Sequence, residues 1–331
     1  MKIVKWLSTF TVMVGIVFVT MLFYFDKKVH QPLNITVPTV YQVKSGQSAK
    51  GILNRLKSQG IINNNIGLKI RLKLEPELAN IKIGTYELLP SMSTLDLFEL
   101  FSRGKELQFS ISLIEGKNWQ EWLFALKSHP QILFSDDFYQ QLDILMKSLP
   151  EQSIEGFLLP DTYYFVAQTK AIELVKRAHL SMQQYLNVAW HNRALDLPYS
   201  SAYEGIIMAS IIEKETGVAQ ERPRISGVFV NRLNLNMRLQ TDPTVIYGMG
   251  EGFDGNIRRK DLKTPTPYNT YVIKGLPPTP IAMPSKLAID AAFNPIATND
   301  LYFVSKGDGS HKFSTTLQEH NLAVRKYQLK K

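Results

Sequence analysis

Residues 209–217 read ASIIEKETG, two glutamates one lysine apart at the end of an apolar run. The run predicts a helix from about Ala202 to Thr216, with Gly217 in the C-cap place. Residues two apart on a helix point about 200° away from each other, so Glu213 and Glu215 face different partners. Glu215 shares its stripe with Ile212, Ile211 and Met208, and Glu213 lies over Ser210, Ala209 and Ile206. The more apolar face therefore belongs to Glu215. A carboxyl held against apolar side chains has its charged form disfavoured, and it can donate a proton near neutral pH. A structural reading stands beside this one, in which both are last-turn glutamates pairing with Lys214, Arg222 or Arg224.

Outward from this helix, the chain is 331 residues long with 44% apolar and 20% charged content, enough for two or three folded units and unlike a disordered protein. Residues 6–25, WLSTFTVMVGIVFVTMLFYF, carry no charge. At about 1.5 Å per residue they span the roughly 30 Å hydrocarbon core of a bilayer. The run ends in large side chains and lacks a small-residue cleavage site, so it reads as a retained anchor. Lys2 and Lys5 precede it, while Asp26, Lys27 and Lys28 follow, which leans the bulk of the chain out of the cytoplasm. The net charge of +9 favours anionic partners, yet the basic residues are scattered, with short clusters at Arg258, Arg259, Lys260 and at Lys330, Lys331. Without aromatic and basic interleaving, nucleic acid is disfavoured. The absence of cysteine excludes disulfide and thiolate chemistry. Six dispersed histidines offer no metal-ligand spacing, and no GxSxG elbow occurs, so neither a metal nor a cofactor is expected.

Residues 29–38, with two prolines and no helical period, read as a linker. Residues 39–106 alternate short strands and helices, with Ser93 placed to cap a helix that stops at Gly104, and predict a small α+β module. Residues 107–331 add a strand QFSISLIEG, helices around WQEWLFALKS, DDFYQQLDILMKSL and AIELVKRAHLSMQQYLNVAW, and a turn-rich EGFLLPDTYYF. Beyond the ASIIEKETG helix lies another starting near Pro223. A Gly-, Pro-, Thr- and Tyr-rich stretch from Arg238 to Pro284 follows, then a helix, a strand LYFVSK and a tail helix. Long irregular segments inside a folded domain are more often functional than idle. GMGEG, at 248–252, has no helix pattern after it and reads as a flexible loop.

ASIIEKET, VFVNRL, MRLQTDPTVIYGMG, TPYNTY and GLPPTPIAMP, in this order, resemble the endolytic murein transglycosylases of the MltG or YceG family, and EGFLLPDTYYF, VKSGQS and IKIGTYELLPSMS match as well. The resemblance covers nearly the whole chain. It implies a single-pass inner-membrane protein anchored through residues 6–25, with residues 29–331 in the periplasm, a LysM-like module and a lysozyme-related α+β catalytic domain that cuts peptidoglycan strands internally. It puts the catalytic acid on Glu215, with Glu213 as the fallback. It further implies that Gln240, Asn269 and Tyr271 hydrogen-bond sugar groups beside Thr241 and Asp242, and that Tyr247 or Tyr268 stacks a ring. Peptidoglycan synthases are the partners it suggests. On the residues alone, Thr241 and Asp242 equally suit the cap of a helix starting at Pro243. Glu155, Asp161, Asp242 and Asp254 keep hydrolysis open as the rival chemistry, and a non-catalytic wall-binding scaffold is the rival function. The module reads equally as a glycan binder or a spacer.

Overall fold

In the computed structural model, which describes residues 2–63 and 66–329, α1 is one continuous helix, Lys2–Val29. The side chains of residues 2–5 and 7–9, including the orientation signal at Lys2 and Lys5, and the pair Lys330, Lys331 lie outside the described residues. α1 holds the one helix segment among the described residues long and apolar enough to cross a membrane, Phe10–Val29.

The chain forms two compact units. The first comprises Met1–Phe109 with Tyr164–Ala167 and the second the remainder. In the first, α1 is followed by β1 (Thr39–Val43), α2 (Ala49–Ser58), α3 (Ile66–Leu74), β2 (Gly84–Leu88) and α4 (Thr94–Arg103). β1 and β2 pair antiparallel with Tyr41 opposite Tyr86. Leu53, Leu56, Leu68, Leu97, Phe98 and Phe101 fill the space beneath them. α4 starts in a capping box, in which the Ser93 hydroxyl accepts from Asp96 N and Asp96 accepts from Ser93 N. Residues 29–38 are not a free tether. Val29 and Leu33 are buried in this core, and the backbone amides of Leu33 and Asn34 donate to Met92 O and Ile61 O at 2.8 Å.

The chain continues with β3 (Gln108–Leu113), α5 (Trp119–Ser128), β4 (Ile132–Leu133), α6 (Phe138–Lys147), β5 (Asp161–Val166), β6 (Thr169–Lys170) and α7 (Ala171–His191). After these come α8 (Ala202–Glu215), α9 (Arg222–Asn234), α10 (Asp242–Met249), α11 (Lys286–Phe293), β7 (Tyr302–Ser305), β8 (His311–Ser314) and α12 (Leu317–Tyr327). Each sheet has two strands, β1 with β2, β3 with β5, β4 with β6 and β7 with β8. The segment DTYYF, which reads as turn-rich, is the strand β5.

α8 is the central helix of the second unit, buried at every position from Gly205 to Glu213. It approaches α11 so closely that a Cβ at Gly205 would lie 1.9 Å from the Phe293 ring, which only glycine permits. Its one buried hydroxyl is satisfied, since Ser210 donates to Ile207 O at 2.7 Å and accepts from Ile281 N at 3.0 Å. The helix stops at Glu215 because Thr216 turns to extended backbone, its hydroxyl accepting from Val218 N at 3.0 Å. Thr216, not Gly217, is therefore the C-cap.

Candidate active site

The two glutamates of the last turn of α8 have different surroundings. Glu213 is buried and fully engaged: one oxygen accepts from Arg222 Nη2 at 2.9 Å, the other from Ser285 N at 2.9 Å and from the Ser285 hydroxyl. It ties α8 to the start of α9 and to the cap of α11, and it is not among the residues of the cleft that holds Glu215. These are the contacts of the structural reading for Glu213, with Arg222 as the partner.

Glu215 is half-buried on a polar cleft of about 810 Å³. Its Oε1 accepts from the Thr241 hydroxyl. Desolvation pushes its carboxyl up to about 7, the Thr241 hydrogen bond opposes the rise, Asp242 adds to it, and His311 and Arg232 counter it. The last-turn position acts in the same direction as burial, because the carbonyl end of a helix disfavours negative charge.

The segment opposite Glu215 is strained and is held by Thr270. Gln240 takes left-handed backbone (φ 53°), its amide donates to Thr270 O at 3.2 Å, and the Thr241 amide donates to Thr270 Oγ1 at 3.0 Å. A non-glycine residue there costs on the order of 1 kcal/mol and persists where surrounding contacts fix it. The geometry aims Thr241 at Glu215 instead of at its own helix. α10 does start at Asp242 with Pro243 in its first turn, yet Thr241 gives it no side-chain cap. Asp242 is exposed, and its Oδ1 accepts from the Tyr271 hydroxyl at 2.7 Å.

Of the residues singled out in the sequence, Glu215, Gln240, Thr241, Asp242 and Tyr271 thus meet in one cleft. Three do not. Asn269 is 1% exposed and spends its amide on the loop, donating to Asp261 O at 3.0 Å and Thr264 O at 2.7 Å and accepting from Tyr271 N at 3.0 Å. It holds Tyr271 in place, and both of its amide hydrogens are used inside the loop. Tyr247 and Tyr268 pack with ring centroids 4.9 Å apart, and their hydroxyls go to Glu155 Oε2 at 3.2 Å and to Thr279 Oγ1 at 2.7 Å. Tyr247 lines a second cleft of about 620 Å³ with Glu155, a carboxyl that burial pushes up to about 7 while the Trp119 amide and Tyr247 hydroxyl hold it down.

The far wall of the Glu215 cleft comes from residues not singled out in the sequence: Arg232, Tyr302, His311, His320 and Asn321. Arg232 is buried and joins α9 to both sides, donating from Nε to Leu301 O and from Nη1 to Leu239 O, each at 2.7 Å. His311 is oriented by Glu221, whose Oε1 accepts from His311 N at 3.0 Å and whose Oε2 lies 2.7 Å from His311 Nδ1. His320 stacks on Tyr302 at 5.1 Å, and burial with the nearby Arg232 lowers its imidazole below the usual range. One signal for this wall was in the text: YFVS and HKFS flank Lys306–Ser310, KGDGS, an Asp-Gly turn between alternating runs that marks a hairpin.

A half-buried carboxyl raised by desolvation, accepting from a hydroxyl and facing a polar cleft, is a group that can both give and take a proton near neutral pH. The chain matches the YceG-like family over residues 41–326 and belongs to that family. It is 30% identical over 325 residues to a protein of Bacillus subtilis (strain 168) named endolytic murein transglycosylase, covering 91% of this chain and 86% of that one. A protein of the same name from Streptococcus pneumoniae (strain ATCC BAA-255 / R6) is 25% identical over 317 residues, and the match spans 57% of its length and 85% of this chain. The crystal structure of a YceG-like protein from Listeria monocytogenes superposes with a TM-score of 0.53 at 28% identity, covering 87% of this chain and 99% of that one.

Proposed function

We propose that this protein is an endolytic murein transglycosylase that cuts the bond between N-acetylmuramic acid and N-acetylglucosamine within peptidoglycan strands and leaves 1,6-anhydro ends. The family and the names of its relatives support the activity. The observation that carries the chemistry is the Glu215 carboxyl, pushed up to about 7 in an open cleft. Near neutral pH such a group exists in both protonation states, as one residue acting first as acid and then as base requires.

Glu215 gives its proton to the bridging oxygen as the C1–O bond breaks and positive charge develops on the muramic ring. Its carboxylate then takes the proton of the C6 hydroxyl of the same ring, whose oxygen closes on C1. The proton returns to Glu215 and no water is consumed. Thr241 steadies the carboxylate form, and the Asp242 carboxylate, held by Tyr271, supplies negative charge toward the cationic ring. Gln240 and Tyr271 hydrogen-bond the sugars, while Asn269, Tyr247 and Tyr268 act behind them.

In this reading α1 anchors the chain in the inner membrane with residues 29–331 in the periplasm. Residues 39–106 form the LysM-like module, residues 107–331 the lysozyme-related catalytic domain, and peptidoglycan synthases supply nascent strands. Hydrolysis of the same bond is the second reading, favoured by one observation, that Asp242 shares the cleft with Glu215.

The endolytic reading is tested by the chain-length distribution of purified glycan strands during digestion. Internal cutting lowers the mean length several-fold before disaccharides accumulate; early release of disaccharides from long strands contradicts it. The site reading makes a paired prediction on the alkaline limb of the pH–rate profile, where rate falls as Glu215 loses its proton. Thr241→Val removes a hydrogen bond that favours the carboxylate and moves that limb to higher pH. Asp242→Asn removes a negative neighbour and moves it to lower pH. Shifts in the same direction for both variants refute the assignment.

A further inference from the structure

Outside the acid cleft, the first unit carries an apolar surface with no use in the fold. α3 reads IGLKIRLKL, and Ile66, Ile70 and Leu74, four residues apart, make one stripe along it. Ile66 is 48% and Leu74 69% exposed, and the exposed Lys69 and Lys73 flank the stripe. Leu68, on the opposite face, is buried in the core, so a basic helix that also leaves Ile66 and Leu74 in water is poorly matched to aqueous surroundings.

Its neighbour accounts for the mismatch. α3 docks on the last turns of α1, where a Cβ on Gly67 would lie 2.5 Å from Phe25 O and 2.8 Å from Val29. Arg71 bridges the two helices, donating to Asp26 of α1 at 2.8 Å and to Glu75. Leu22 and Phe23 of α1 share one shallow cleft of about 280 Å³ with Ile70 and Leu74 of α3. The twenty residues from Trp6 to Phe25 fill about 30 Å, so Asp26 marks the level at which α1 leaves the hydrocarbon. The stripe on α3 is thus continuous with the apolar surface of the span and lies at the depth of the headgroups.

We propose that α3 is an interfacial helix: Ile66, Ile70 and Leu74 insert among the acyl chains beside α1, and Lys69 and Lys73 bind anionic lipid headgroups. The inference rests on the reading of α1 as a membrane span. The occupant is the bilayer because the apolar surface on α1 continues onto α3 and the lysines beside it carry the complementary charge. Its consequence is that the first unit is held against the membrane and does not swing from a flexible stalk.

The chain has no cysteine, so single cysteines report position without background. Full-length Leu74→Cys, Val40→Cys and Phe18→Cys, each at a side chain at least 60% exposed, carry an environment-sensitive fluorophore in vesicles of phosphatidylcholine with phosphatidylglycerol. Brominated lipids should quench the Leu74 and Phe18 positions by about threefold more than the Val40 position, while iodide in the buffer should quench Val40 most. Quenching at Phe18 with Leu74 behaving like Val40 overturns the interfacial helix and leaves the span intact. No lipid quenching at Phe18 overturns both. Insertion of Leu74 that is unchanged when phosphatidylglycerol is omitted, and unaffected by Lys69→Gln with Lys73→Gln, overturns the role of the lysines.

Discussion

Glu215→Gln is expected to lower strand cleavage by about 10³-fold, the usual worth of a positioned acid–base group, while the folded protein still binds strands. Glutamine fits the same space and can still accept from Thr241, so the cleft keeps its shape and loses its transferable proton. The same substitution carries a stability signature. Glu215 has a folded pKa of about 7, raised above its ordinary value of 4.5, so the native state binds more protons than the unfolded state between those pH values. Stability is lost as pH rises through that window. Glu215→Gln removes the loss: the variant should match the parent near pH 4.5 and exceed it at pH 8 by on the order of 2 kcal/mol, read as a higher urea midpoint. Loss of activity with a lower midpoint at pH 8 would mean that Glu215 is structural. Retained cleavage would mean that another residue is the acid.

Glu213→Ala is expected to have the opposite character. It leaves the buried Arg222 guanidinium without its carboxylate, and Arg222 Nε already has no hydrogen-bond partner among the described residues. Breaking one side of a buried pair costs roughly 3–5 kcal/mol. The Ser285 amide and hydroxyl at the cap of α11 lose their acceptor as well. A large fall in the urea midpoint with activity per folded molecule within about twofold of the parent is the expected pattern. Full stability with lost cleavage would favour Glu213 as the acid.

The contrast shows what could be read from the amino acids. Helical period, caps and terminators were legible: Ser93 and Gly104 bound α4, and α8 and α9 begin where the text suggests. Helix face does not separate the two glutamates. α8 is buried nearly all round, so both faces are apolar, and the difference lies in what each carboxyl meets: Arg222 and Ser285 for one, Thr241 and an open cleft for the other. Arg222 is 9 residues from Glu213, but Thr241 and Ser285 are 26 and 72 residues from the carboxyls they meet. The same distance hid the far wall, where Glu221 and His311 pair across 90 residues. Asn269 shows the reverse failure: a polar residue in a motif-like loop turned out to be the staple of that loop.

The most direct test of the account is the mass of the new strand ends made by the parent protein and absent with Glu215→Gln. One carboxyl acting as acid and then base, with the muramic C6 hydroxyl as nucleophile, predicts ends one water lighter than hydrolysis gives. Reducing ends of full hydrolytic mass would contradict that mechanism and require a second carboxyl to activate water.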